Sequence, residues 1–291
     1  MDTQVCTSDL AQKIHEIKYF PVPNNIVLNL FRTISSKDCT FNEISSIVEP
    51  DASLCAQLLR VANSAYFGFR GKVNTIEKAI MLIGVDEVRN LSLAISLANQ
   101  FKSDVLAKSF DLKRFWIHNL MASFCAREIG TKVPYFDADE LYLMGLLHDI
   151  GRLAMAQLLP DEFNMIHNAS RKRCIHLWEL EKQIGVTHTE IGRILADRWG
   201  LSEQMAEVLE FHHEPLNSKK FSRECSVIAI AAHLAKMVEA AGGDGLEPKL
   251  PDTKVFLLAG VEVQQMDLFY EKAIRLKDEI VALADIIVGQ S

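Results

Sequence analysis

The sequence predicts an all-α fold assembled from many short helices. Apolar residues recur at spacings of three and four in nearly every segment, and the breaks between segments carry the prolines, glycines and capping residues of helix-to-helix connections. No stretch shows the apolar and polar alternation that a half-buried strand requires.

A first helix is expected near 8–18, ending at Phe20-Pro21-Val22-Pro23, because two prolines stop helical propagation. A second runs from about Asn25 to Ile34. Thr40-Phe41-Asn42-Glu43 is a capping-box pattern and opens a short helix that ends before Pro50. Asp51 then caps a helix whose Leu54, Leu58, Val61 and Ala65 share a core face. Asn63-Ser64 ends it, and Tyr66, Phe67 and Phe69 follow in a loop with Gly68 and Gly71. Thr75 begins the next helix, which stops at Gly84, and Asp86 starts the apolar stretch through Leu97.

Longer helices are expected at about 111–129, 138–148, 161–171, 176–199, 202–212 and 222–241, with Gly130 and Gly200 as C-terminal caps. Gly242-Gly243-Asp244-Gly245, followed by Pro248 and Pro251, reads as a linker. A short helix and then one long helix to about Val288 complete the chain. No fixed-period repeat is evident.

Composition excludes several function classes. The 291 residues are 49% apolar and 24% charged, enough for one large core or two modest ones. Asp and Glu outnumber Lys and Arg by 38 to 31, so the net charge of -7 offers nucleic acid no general attraction. The segment MDTQVCTSDLAQ lacks the basic and apolar regions of a secretion signal, and no 18-residue apolar run is present, so a cytoplasmic protein without membrane spans is expected. Cysteines 6, 39, 55, 125, 174 and 225 form no C-x-x-C pair and read as reduced. There is no G-x-G-x-x-G, P-loop or G-x-S-x-G pattern. Arg171-Lys172-Arg173 is either a solvated helix end or a contact for an acidic partner.

The histidines of the second half are more informative. His118 shares a face with Phe115, Ala122, Cys125 and Ile129; His148 and Asp149 end an almost uninterrupted apolar helix; His188 sits with Ile184, Gly185, Ile191 and Leu195. His212-His213 end a helix before Pro215, and His233 lies among Ala229, Ile230 and Met237. A buried Asp149 carries a large desolvation cost unless it is compensated. Imidazole and carboxylate together suit iron, manganese or zinc, and a carboxylate can balance or bridge two ions. A polar network, with Asp149 paired to a histidine or arginine, satisfies the same pattern.

Several segments taken together resemble the HDOD family: Gln57-Leu58-Leu59-Arg60-Val61-Ala62-Asn63-Ser64, Ile76-Glu77-Lys78-Ala79-Ile80, Leu82-Ile83-Gly84, Leu146-Leu147-His148-Asp149-Ile150-Gly151-Arg152, Thr187-His188-Thr189-Glu190-Ile191-Gly192, Trp199-Gly200-Leu201 and His212-His213-Glu214-Pro215. The resemblance spans roughly 15–240. It implies a helical bundle like that of the HD superfamily, which includes the HD-GYP phosphodiesterases, with an N-terminal helical lobe at 1–110, an HD-like lobe at 111–241 and a C-terminal extension at 242–291. HDOD domains are generally regarded as non-catalytic regulatory modules, so the resemblance implies a bacterial signalling role through protein or small-ligand binding.

Carried over by position, the HD-GYP ligand pattern falls on His118, His148, Asp149, His188, His212 and His213. His233 stands in place of the final HD-superfamily aspartate and is the seventh candidate for holding one or two divalent ions. The phosphate-meeting lysine of that superfamily becomes Arg152, which keeps the charge in a planar fork. Arg114 stands where some HD-GYP enzymes place a glutamate ligand, and no Gly-Tyr-Pro triplet follows His212-His213. These departures favour binding over catalysis. The alternative they leave is a metal-dependent phosphohydrolase or phosphodiesterase, with Asp149 and Arg152 as the active residues and a small phosphate-containing ligand. No receiver, kinase or cyclic dinucleotide synthase pattern occurs within the 291 residues, so partners are expected to be signalling proteins reached in trans.

Overall fold

In the computed structural model, which describes residues 21–34, 40–69, 71–101, 106–241 and 248–289, the described residues form helices and turns with no strand. The helix expected at 8–18 and the linker at 242–245 lie outside the described residues.

The N-terminal part of the chain contains α1 (Asn25–Ile34), α2 (Phe41–Val48), α3 (Ala52–Ala62), α4 (Ile76–Ile83) and α5 (Val85–Gln100). Its boundaries follow local chemistry. Thr40 and Glu43 close the expected capping box, and Asp51 and Thr75 accept from Leu54 N–H and Lys78 N–H. Ala65 is a correction: α3 ends at Ala62, and Ala65 is exposed in the following turn while Leu54, Leu58 and Val61 are buried. Asn63 makes that turn by donating to Leu59 O and Val73 O and accepting from Val73 N–H, which closes the aromatic loop. The last helix starts at Val85, directly after Gly84 at φ 92°.

The following helices are built around α6 (Leu112–Gly130), flanked by α7 (Ala138–Leu147) and α13 (Ser222–Ala241). Gly130 is not the cap expected of it. It is buried inside α6, where a Cβ would approach Leu141 Cδ1 to 2.9 Å and Ala138 Cα to 3.0 Å. Between them lie α8 (Ile150–Leu158), α9 (Pro160–Arg173), α10 (Leu177–Ile184), α11 (His188–Trp199) and α12 (Glu203–Phe211).

Two boundaries differ from the sequence expectation and both shape the site. The segment after His148 re-enters a helix at Ile150, so Asp149 occupies a corner between α7 and α8. The helix expected at 176–199 is two helices. Gly185 at φ 80° ends α10, and Thr187 with Glu190 forms a capping box that opens α11. His188 is therefore the first residue of a helix, not a mid-helix neighbour of Ile184.

After α13 come α14 (Thr253–Ala259), α15 (Met266–Arg275) and α16 (Lys277–Ile287). The long terminal helix expected from the sequence is broken at Leu276. After that break α16 packs against both α6 and α3; Gln57 donates to Ile286 O and Lys113 pairs with Asp285 at 2.7 Å. Among the described residues no helix is long and apolar enough to cross a membrane.

Candidate metal centre

Asp149 is the hub of a buried cluster drawn from α6, the α7–α8 corner, the start of α11 and the end of α12. Two close backbone approaches bring these elements together. Gly145 lies so near α6 that a Cβ would meet Ser123 Cα at 2.7 Å, which sets His148 beside His118. A Cβ on Gly151 would lie 1.9 Å from His188 O, so only glycine lets the corner carrying Asp149 reach the start of α11.

Four imidazoles are anchored alike. His118 Nδ1 meets Glu239 Oε1 at 2.6 Å, His148 Nδ1 meets Gly145 O at 2.7 Å, His188 Nδ1 meets Glu181 Oε2 at 2.5 Å and His212 Nδ1 meets Leu209 O at 3.1 Å. Backbone carbonyls only accept. Glu181 and Glu239 are pushed up by burial but held below the usual carboxylate range by His188 and His118 respectively, so they accept as well. Each Nδ1 is thereby assigned its proton, which turns each Nε2 inward.

Those Nε2 atoms converge on one carboxylate. They lie 3.7 Å (His118) and 3.6 Å (His148) from Asp149 Oδ2, and 3.0 Å (His188) and 3.4 Å (His212) from Oδ1. The Nε2 atoms of His188 and His212 face each other at 3.3 Å. His118 Nε2, His213 Nε2 and Asp149 Oδ1 are buried without a hydrogen-bond partner among the described residues. An inward-facing set of lone pairs whose other ring nitrogens are fixed by carboxylates and carbonyls fits a divalent cation.

The ligand atoms fall into two groups that share Asp149. One is Asp149, His188, His212 and His213, and the other is His118, His148 and Asp149, with atoms in each group within 4.8 Å of one another. His213 stacks on Trp178 at 4.6 Å between centroids. His233 belongs to neither group. It is buried on α13 and lines the adjoining cleft, and burial together with Lys236 pushes its imidazole down to about 4.

The electrostatics hold Asp149 as a carboxylate and keep His148, His212 and His213 below the ordinary imidazole range. Burial pushes Asp149 up, but Arg152, His148 and His188 outweigh it and hold the group well below the usual range. Arg152 Nη1 sits 3.1 Å from Asp149 Oδ2. Burial depresses His148 and His213 strongly and His212 as well. His188 goes the other way: burial lowers it, but Glu181 and Asp149 raise it above the ordinary value.

Sequence reasoning missed Glu181, Glu239 and Lys236. Glu181 precedes His188 by seven residues, a spacing that in one continuous helix would put it two turns away; the break at Gly185 folds it back onto the ring. Glu239 and the half-buried Lys236 share α13 with His233, but nothing local marks them as site residues.

The site opens into a cleft of about 2020 Å³ lined by His118, Asp149, Arg152, His212 and Lys236 among others. The cleft wall carries more Lys and Arg than Asp and Glu, the reverse of the chain as a whole.

The HDOD domain family matches residues 20–215 of this chain. An uncharacterized protein of Treponema pallidum (strain Nichols) is 25% identical over 235 residues, which cover 79% of this chain and 44% of that protein. The chain spans less than half the length of the curated relatives it matches. Three crystal structures share the fold. An HDOD domain protein from Geobacter sulfurreducens aligns with TM-score 0.79 at 20% identity, covering 98% of this chain and 99% of that one. A protein from Shewanella amazonensis SB2B that bears a phosphohydrolase name aligns with TM-score 0.74 at 22% identity, covering 98% and 100%. One from Marinobacter aquaeolei VT8 that bears a signal-transduction name aligns with TM-score 0.81 at 19% identity, covering 98% and 66%.

Proposed function

The chain belongs to the HDOD family, and from that premise we propose that it is a cytoplasmic regulatory module that holds one or two divalent ions in its His/Asp cage. It acts by binding signalling proteins or a small ligand in trans, without hydrolysis. The observation that carries this reading is the convergence of four Nε2 atoms on Asp149, with their Nδ1 atoms tied back. His118, His148, Asp149, His188, His212 and His213 would hold iron, manganese or zinc, with Asp149 common to both positions. A divalent ion bound there would polarise a phosphate oxygen or lower the pKa of a bound water. The regulatory reading is supported by the family match and by a fold shared with a protein bearing a signal-transduction name.

A second reading, a phosphohydrolase, is favoured by one feature: Arg152, paired with Asp149, and Lys236 both line the cleft into which the cage opens. Elemental analysis of the purified chain separates metal from no metal. The expected result is at least one iron, manganese or zinc ion per chain, lost in a folded His148→Ala, Asp149→Ala double variant. Wild-type protein free of stoichiometric metal after growth in supplemented medium would sink the metal reading. Turnover of a chromogenic phosphodiester by metal-loaded wild type, abolished in the double variant, would replace the regulatory reading with the hydrolytic one.

A further inference from the structure

The wall of the cleft formed by α9 and the start of α6 carries polar atoms that neither the packing nor the proposed metal cage uses. Ser109 N–H donates to Asn164 Oδ1 at 2.9 Å, which seats the turn before α6 on α9. Asn164, His167 and Arg171 follow at spacings of three and four and share one face of α9. Ser109, His167 and Arg171 all line the cleft. Ser109 Oγ and His167 Nδ1 are shielded from solvent and have no hydrogen-bond partner among the described residues. Buried polar atoms of a native protein are nearly always satisfied, so two together on one wall call for a partner that enters from the cleft.

The charge of this wall selects the partner. Arg171 and Lys108 both line it, and neither has a carboxylate partner among the described residues. The nearby acids are already engaged. Asp111 caps α6 by accepting from Arg114 N–H at 2.9 Å, and Glu239 accepts from His118. A solvated helix end explains Arg171 in the last turn of α9. It leaves Ser109 Oγ and His167 Nδ1 unexplained.

The wall is also close to the cage. Arg114 precedes His118 by one turn of α6, an axial step of roughly 6 Å, and its Nη2 lies 3.5 Å from Glu239 Oε2, whose carboxylate anchors His118. The wall and the cage open into the same cleft, which Arg152 and Lys236 also line.

We infer that Ser109, His167 and Arg171 form a second anion subsite, which takes the distal group of a two-headed organophosphate whose other phosphate faces Arg152 and Lys236. The proximal half rests on the metal reading above, whereas the distal half does not.

The test is calorimetric titration of the full chain, both manganese-loaded and metal-stripped, with methylphosphonate and with alkane-α,ω-bisphosphonates of three to eight carbons. At the best length the bisphosphonate is expected to bind the loaded chain at least tenfold tighter than methylphosphonate, through the raised effective concentration of the second head. Arg171→Gln and His167→Gln should each cut that advantage to threefold or less, with metal content and thermal melting unchanged. An advantage absent at every length, or kept in an Arg171→Gln, His167→Gln double variant, overturns the subsite. Should the chain hold no metal, the stripped arm still decides. Methylphosphonate affinity falling at least threefold in Arg171→Gln supports the subsite, and no change overturns it.

Discussion

Glu181 shows how much one unsuspected side chain can contribute. Its Oε2 accepts from both the backbone N–H and the Nδ1 of His188, so a single carboxylate fixes the ring's position, tautomer and basicity. Burying that charge is tolerable because His188 compensates it. Glu181→Gln keeps the shape and removes the charge, so metal affinity measured by competition with a chelator dye should fall about 10- to 100-fold. Unchanged affinity would mean that His188 is not a ligand. Glu239 plays the same part for His118 at 2.6 Å, so the two rings that come from opposite sides of Asp149 are both steered by carboxylates.

Among elements, the decisive event is the crossing of α8 and α11. It occurs at contact distance because Gly151 has no side chain, and the carbonyl of His188 occupies the space a Cβ would need. Gly151→Ala therefore forces the helices apart and is expected to cost about 3 kcal/mol or more in urea unfolding, with loss of bound metal. Gly192, one turn into α11, is the control. Its Cβ would meet only Leu209 side-chain carbons at 3.4 Å and beyond, so Gly192→Ala should be neutral or stabilise by up to about 1 kcal/mol. A Gly151→Ala variant with wild-type stability and metal content would show that the crossing does not position Asp149. The break at Gly185 works with this crossing, since it ends α10 in time for Thr187 to cap α11 and present His188 at its first position.

At the scale of the molecule, the cage lies beside one continuous core that runs from α1 to α16, and α16 ties α3 to α6. Stability should thus respond to the neutral histidines held within. His233, away from the two ligand groups, is pushed down by burial and by Lys236 to about 4, against the ordinary 6.5. The sign follows from proton uptake: between these values the unfolded chain binds a proton that the folded chain refuses, so stability drops as pH falls from 6.5 towards 4. Denaturant midpoints at several pH values across that window should decline in wild type and decline less steeply in His233→Gln. Equal slopes for the two proteins would show that His233 is protonated as readily in the folded chain as in the unfolded one.

The sequence by itself determined the helical class, most helix starts and six residues that meet at one point. Apolar spacing and capping chemistry at Thr40, Asp51 and Thr75 are local, acting over three or four residues, so they can be read from a string. His118, His148, Asp149, His188, His212 and His213 were legible because buried polar residues stand out against apolar faces and because they match the motif of a resembling family. Only the tertiary structure decided the rest. The split of 176–199, the Asp149 corner, the break at Leu276 and the partners Glu181, Glu239 and Lys236 depend on which faces pack together. His233 sits on an apolar helix face as the other candidate histidines do, yet the packing of α13 turns Glu239 to the cage and leaves His233 on the cleft wall. Helical periodicity says that a residue faces inward, whereas the choice of inward neighbour is made by the crossings of distant segments, here set by Gly145 and Gly151.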